Sequence, residues 1–139
     1  MSRRQAREIA LQTLFQLDFN DIDRQTAFDA VMAEHGAVSE RDQKYAWELI
    51  DGTLAHQGAI DEMISRTATD WRLDRLAGVD RNIARIAIYE MEFGLQEISP
   101  SIVINEAVEL AKTFGTDDSS RFINGILGSL ARRKEISDA

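Results

Sequence analysis

The chain has 139 residues, a formal net charge of −8, a single proline and no cysteine. That length suits one domain, or two small subdomains sharing a core, able to fold without covalent staples. Disulfides, thiolate zinc sites and cysteine nucleophiles are excluded. No stretch reads as a signal peptide or is long and apolar enough to span a bilayer, so a soluble cytoplasmic protein is expected. The acid excess weighs mildly against an obligate nucleic-acid binder. Its distribution tells more. Arg3, Arg4 and Arg7 open the chain, and Lys112, Arg121, Arg132, Arg133 and Lys134 lie near its end. Acid gathers in Asp18, Asp21, Asp23, Asp29 and Glu34. A basic patch on an acidic body forms only if the two ends meet in the fold; otherwise these charges are solvated helix surface.

The hydrophobic period is helical nearly throughout, and alternating strand patterns are missing. A first helix is expected over Arg3 to Leu17, with Ala6, Ile9, Ala10, Thr13, Leu14 and Leu17 on one face. "DFNDID" ends it. A short second helix covers Arg24 to Glu34 and stops near Gly36. Ser39 opens a third, with Asp42 as a capping-box-like partner; its apolar residues run from Ala46 to Ile64, and Gly52 or Gly58 offers a break into two helices. "DWRLDRLAGVD", containing Trp71, Leu73 and Leu76, reads as a turn-rich connector. Asp80 is expected to cap the next helix, whose stripe is Ile83, Ile86, Ala87 and Met91 and which Gly94 ends. Ser99-Pro100 is the clearest start signal, a capping hydroxyl followed by proline at the first helical position. Val103, Ile104, Ala107, Leu110, Ala111 and Phe114 then face inward until Gly115. Thr116 is expected to cap the last helix, with Asp117 and Asp118 in its first turn, where the helix dipole favours anions. Its buried side is Ser119, Ile123, Ile126, Leu127 and Leu130. The fold class is all-α, a bundle of roughly six or seven helices.

Catalytic motifs are absent. His35 and His56 are isolated, with no metal-ligand spacing, nucleophile elbow or phosphate loop. No enzyme, metal or cofactor is expected. Asp117-Asp118 reads as capping and dipole complementarity. The first helix carries a second stripe, Arg4, Arg7, Leu11 and Phe15, opposite its apolar face. Either another helix covers it, or Phe15 is a platform on which an unpaired base stacks while arginines hold phosphates. The last helix poses the same choice. Phe122 lies at the edge of its stripe, Arg121, Gly125 and Asp118 point away from the core, and Asn124 offers donor and acceptor to a base edge. Gly125 and Gly128 admit either a neighbouring helix or a nucleotide.

"SRRQAREIALQTLFQLDF", "ARIAIYEM", "VINEAVELAKTFG" and "SSRFINGIL" together resemble the bacterial NusB family of transcription antitermination factors. The likeness spans essentially the whole chain and is most specific in its second half. It implies one NusB-like domain over 1–139, built as two three-helix subdomains, roughly 1–75 and 76–139, sharing one core. It implies a non-catalytic factor that binds single-stranded boxA RNA together with NusE, a small-subunit ribosomal protein. Within the RNA polymerase antitermination complex, such a factor promotes transcription of ribosomal RNA operons and rRNA maturation. The family's RNA contacts map to Arg3, Arg4, Arg7, Phe15, Lys112, Asp118, Arg121, Phe122 and Asn124. Its NusE-facing positions map to Asp80 and Arg85. Gln5 interrupts an arginine run that is longer in some relatives, and Phe15 stands where tyrosine is often found, keeping a stacking face without the hydroxyl. A similar domain occurs in ribosomal RNA cytosine-5 methyltransferases, whose chemistry needs a cysteine this chain lacks. The competing reading is a purely protein-binding helical module with solvated basic ends.

Overall fold

The computed structural model describes residues 3–67, 78–95 and 98–138, with side chains as far as residue 133. Trp71, Leu73 and Leu76 lie outside the described residues, as does the side chain of Lys134. Within them the chain is all-helical: α1 (Arg4–Phe19), α2 (Arg24–His35), α3 (Glu40–Ala55), α4 (Gln57–Thr67), α5 (Gly78–Ile88), α6 (Pro100–Phe114) and α7 (Ser119–Asp138). The last turn of α5 widens into a π-helical segment, Tyr89–Phe93.

Three helix starts are made by side-chain caps, which satisfy backbone donors that have no partner inside the helix. The Asp23 carboxylate accepts from the Thr26 N–H at 2.7 Å, the Ser39 hydroxyl from Asp42 at 3.1 Å, and the Ser99 hydroxyl from Ile102 at 3.4 Å. Pro100 follows Ser99 at the first helical position. Three boundaries differ from the sequence expectation. Asp80 does not cap α5, because the helix already begins at Gly78 and Asp80 falls inside its first turn. Thr116 does not cap α7. Its N–H instead donates to the Ser119 hydroxyl at 2.8 Å, and Asp117-Asp118 form the turn before a helix that starts at Ser119. The break after α3 falls at His56 rather than at a glycine. Gly52 is needed for another reason: a Cβ there would lie 2.2 Å from the Tyr89 ring.

Helix α1 packs on α2, α3 and α5; α5 also packs on α6 and α7, and α6 and α7 form the closest helix pair. The continuous core runs through Ile9, Leu14, Leu49, Ile50, Ile60, Ile64, Ile83, Ile86, Val103, Ile123 and Leu127. With neighbours on three sides, α1 buries Arg7 and Leu11 besides its expected face. Half of its second stripe is thus covered by protein. Arg4 is exposed and Phe15 half-buried.

Candidate RNA interface

The three N-terminal arginines occupy three different environments. Arg4 points toward α6, its Nε 3.1 Å from Glu106, and remains half exposed. Arg3 points the other way, toward α3, with its guanidinium 4.1 Å from the centre of the Tyr45 ring. Arg7 is not a surface cation. It is 5% exposed and makes a two-pronged pair with Glu90, both bonds 2.8 Å. Tyr45 completes this group by donating its hydroxyl to Glu90 at 3.0 Å. Burial alone would lower the Arg7 pKa, but the hydrogen bond and charge of Glu90 outweigh it and the net shift is upward. The arginine therefore stays charged and locks α1 onto the π-helical segment. This burial sets Arg7 apart from the exposed cations expected at an RNA site.

Arg4 pairs with the middle of α6, and Phe15 lies with Phe114 at the end of α6. Arg4 and Phe15 of α1 thus meet Glu106 and Phe114 of α6 in the same chain order. From Arg4 to Phe15, α1 advances about 16 Å at its rise of 1.5 Å per residue. At the Phe15 end opens a groove of about 360 Å³ lined by Leu11, Gln12, Phe15, Gln16, Phe19, Asn20, Val79 and Phe114. Its floor is aromatic. The Phe15 and Phe19 rings lie 4.8 Å apart, and Phe19 is 66% exposed. Gly78 opens α5 where a Cβ would sit 3.2 Å from the Phe19 ring. Its rim carries amides. Gln12 is engaged with His35 at 2.6 Å, and Asn20 donates to the Gln16 carbonyl at 3.2 Å. Such a surface offers ring faces to flat apolar groups and amide donors and acceptors to their edges.

Lys112, Asp118, Arg121 and Asn124 are all exposed, Lys112 lying 3.5 Å from Glu109. Phe122 differs from the sequence expectation. It is 8% exposed and belongs to the core, so it presents no open stacking face. Gly125 faces open space, and a Cβ on Gly128 would meet only the tip of Arg132 at 3.4 Å. Neither glycine is required by a neighbouring helix. Of the expected partner-facing pair, Arg85 is 6% exposed and held by Asp61 at 2.8 and 2.9 Å, with Asp18 3.8 Å away. Arg81 and Asn82 also bond Asp18, at 2.9 and 2.7 Å. This network ties the end of α1 to α4 and α5, with Arg85 buried at its centre. Asp80 is partly exposed, with one carboxylate oxygen buried and unpartnered.

Phe19, Phe114 and Tyr45 are not among the site residues expected from sequence, although Phe114 is expected to face inward. Phe19 follows Phe15 by one helical turn and so shares its face, a signal present in the sequence but masked by ending the helix at Leu17. Phe114 fits an inward stripe equally well, and nothing local marks Tyr45.

These features define a class: an all-helical bundle with an amide-rimmed aromatic groove and, among the described residues, no cluster of His, Asp or Glu able to hold a metal ion. The NusB family profile matches residues 4–132, and the chain belongs to that family. It is 49% identical over 135 residues to the transcription antitermination protein NusB of Desulforudis audaxviator, covering 97% of this chain and 96% of that one. Among solved structures, T. maritima NusB superposes with a TM-score of 0.84 at 35% identity, over 95% of this chain and 92% of that one. The antitermination factor NusB crystallised with NusE and double-stranded RNA superposes with a TM-score of 0.84 at 27% identity, over 94% and 96% of the two chains.

Proposed function

We propose that this chain is a non-catalytic transcription antitermination factor of the cytoplasm. It binds single-stranded boxA RNA together with NusE, and within the RNA polymerase antitermination complex it promotes read-through of ribosomal RNA operons and rRNA maturation. The observation that carries the reading is the α1–α6 groove, an exposed aromatic floor with amides at its rim and Arg4 farther along the same helix. Bases stack on Phe15 and Phe19. Arg4, Arg3, Lys112 and Arg121 supply phosphate contacts, and Asn124 and Asp118 present polar groups at the start of α7. NusE docks beside the first turn of α5, at Asp80. Family membership and the relatives named above support both partners. No helix among the described residues is long and apolar enough to cross a membrane.

The test is a titration of boxA and scrambled RNA with the protein alone and with NusE added. We expect weak boxA preference alone and tighter binding with NusE, because NusE adds positive charge and a second contact surface, and the resulting coupling acts equally in both directions. Equal affinity for both RNAs in both conditions would leave only the protein-binding module.

A further inference from the structure

We infer that the opposite flank of α1 carries a second phosphate-binding groove, formed by Arg3, Arg41 and Lys44 around Tyr45, which holds RNA continuing beyond the boxA element. The inference rests on RNA binding at the α1–α6 groove and extends its path. Arg3 and Arg4 are neighbours in sequence but point to opposite sides of α1, Arg4 to Glu106 on α6 and Arg3 to Tyr45 on α3. A strand leaving the aromatic groove along Arg4 therefore reaches Arg3 by crossing the start of α1.

The second groove has a volume of about 460 Å³ and is lined by Arg3, Glu40, Arg41, Lys44, Tyr45 and Glu48. Arg41 and Lys44 are exposed, and neither has an ion-pair partner among the described residues. Tyr45 is buried beneath the Arg3 guanidinium. The contact with the ring holds the Arg3 charge at the wall of this groove. Arg3 Nη1 is shielded from solvent and has no hydrogen-bond partner among the described residues. Of the two carboxylates facing the groove, Glu48 already accepts from the Tyr89 hydroxyl at 3.1 Å and lies 3.5 Å from the Leu95 nitrogen. Glu40 is exposed in the first turn of α3. Continuity with Arg4 favours RNA over an acidic peptide as occupant.

The experiment uses the full chain and the Arg41→Gln/Lys44→Gln variant, whose changes are at the surface and leave the α1–α6 groove intact. Each is titrated with a minimal boxA RNA and with the same RNA extended at its 5′ or 3′ end, between 50 and 200 mM salt. The expected result is equal binding of the minimal RNA by both proteins, and tighter binding of one extended RNA by the parent alone. Two added phosphate contacts steepen the log–log salt slope by about 1.4, so that gain shrinks about sevenfold across this range. Minimal RNA that binds, with no gain from either extension or with a gain that survives in the variant, overturns this groove while leaving the proposed function standing. No binding of the minimal RNA removes both. Binding of a polyglutamate peptide that the variant loses, without an RNA gain, assigns the groove to acidic protein and overturns the inference.

Discussion

The fate of Arg7 shows how little residue type alone says about role. It lies one helical turn from Arg3 and Arg4 and matches the family's arginine segment, yet its guanidinium is closed by Glu90 inside the core. Removing one partner of such a buried pair strands the other charge, at a cost of about 3–5 kcal/mol. Glu90→Leu should lower stability by that amount in urea denaturation, and Arg7→Met/Glu90→Leu should recover much of it. The double variant should also bind boxA like the parent; lost RNA binding in a well-folded double variant would return Arg7 to the interface. Tyr89 gives a pH signature. Burial, then the charge of Glu48 and their hydrogen bond, push its phenol up to about 12. A folded pKa above the unfolded value near 10 means that this contribution is complete below about pH 10 and is lost as the pH rises through 12. Thermal melts should show stability falling over that window, with Tyr89→Phe flattening part of the decline. Tyr45, shifted upward chiefly by burial, supplies the rest.

At the scale of elements, the helices were legible and their neighbours were not. Hydrophobic period and capping chemistry located most helices, and Ser39, Ser99 and Pro100 act in the structure as read, because these signals are local. Which face of α1 is covered depends on α3 and α5, far away in sequence. Hence Arg7, Leu11 and Arg85 proved buried, and Phe122 joined the core instead of its edge. The aromatic groove was half legible: Phe15 was read, while Phe114 became visible as its wall only when α6 was laid beside α1. The two interior glycines of α7 can now be separated from packing. Gly125 has nothing within 4 Å of a Cβ, so Gly125→Ala should raise stability by about 0.5–1 kcal/mol through helix propensity. If a nucleotide passes over that surface, the same variant should bind boxA more weakly. Stabilisation with unchanged RNA affinity would place the RNA elsewhere on α7. Phe122→Ala is a poor probe of binding, since emptying a core site costs about 3–5 kcal/mol of stability.

For the whole molecule, the arrangement reconciles a net charge of −8 with an RNA ligand. Among the described residues, Arg3 and Arg4 turn to different neighbours, Tyr45 and Glu106, instead of joining one basic patch. Arg4 lies farther along α1 from the aromatic groove and Arg3 on the other flank of that helix, while Asp18, Asp61, Glu90 and Glu106 hold arginines in place. In the proposed function stacking carries much of the affinity and the net electrostatic pull stays modest, which suits a factor that gains strength from a second protein. Phe19 is the sharpest probe of RNA binding at the α1–α6 groove, because its exposed ring contributes little to the fold. The measurement is the equilibrium affinity of Phe19→Ala for boxA RNA in the presence of NusE, with the melting temperature as control. The expected result is a loss of about 1–3 kcal/mol in binding at an unchanged melting temperature. Parent-like affinity in the folded variant would contradict the assignment of RNA to this groove.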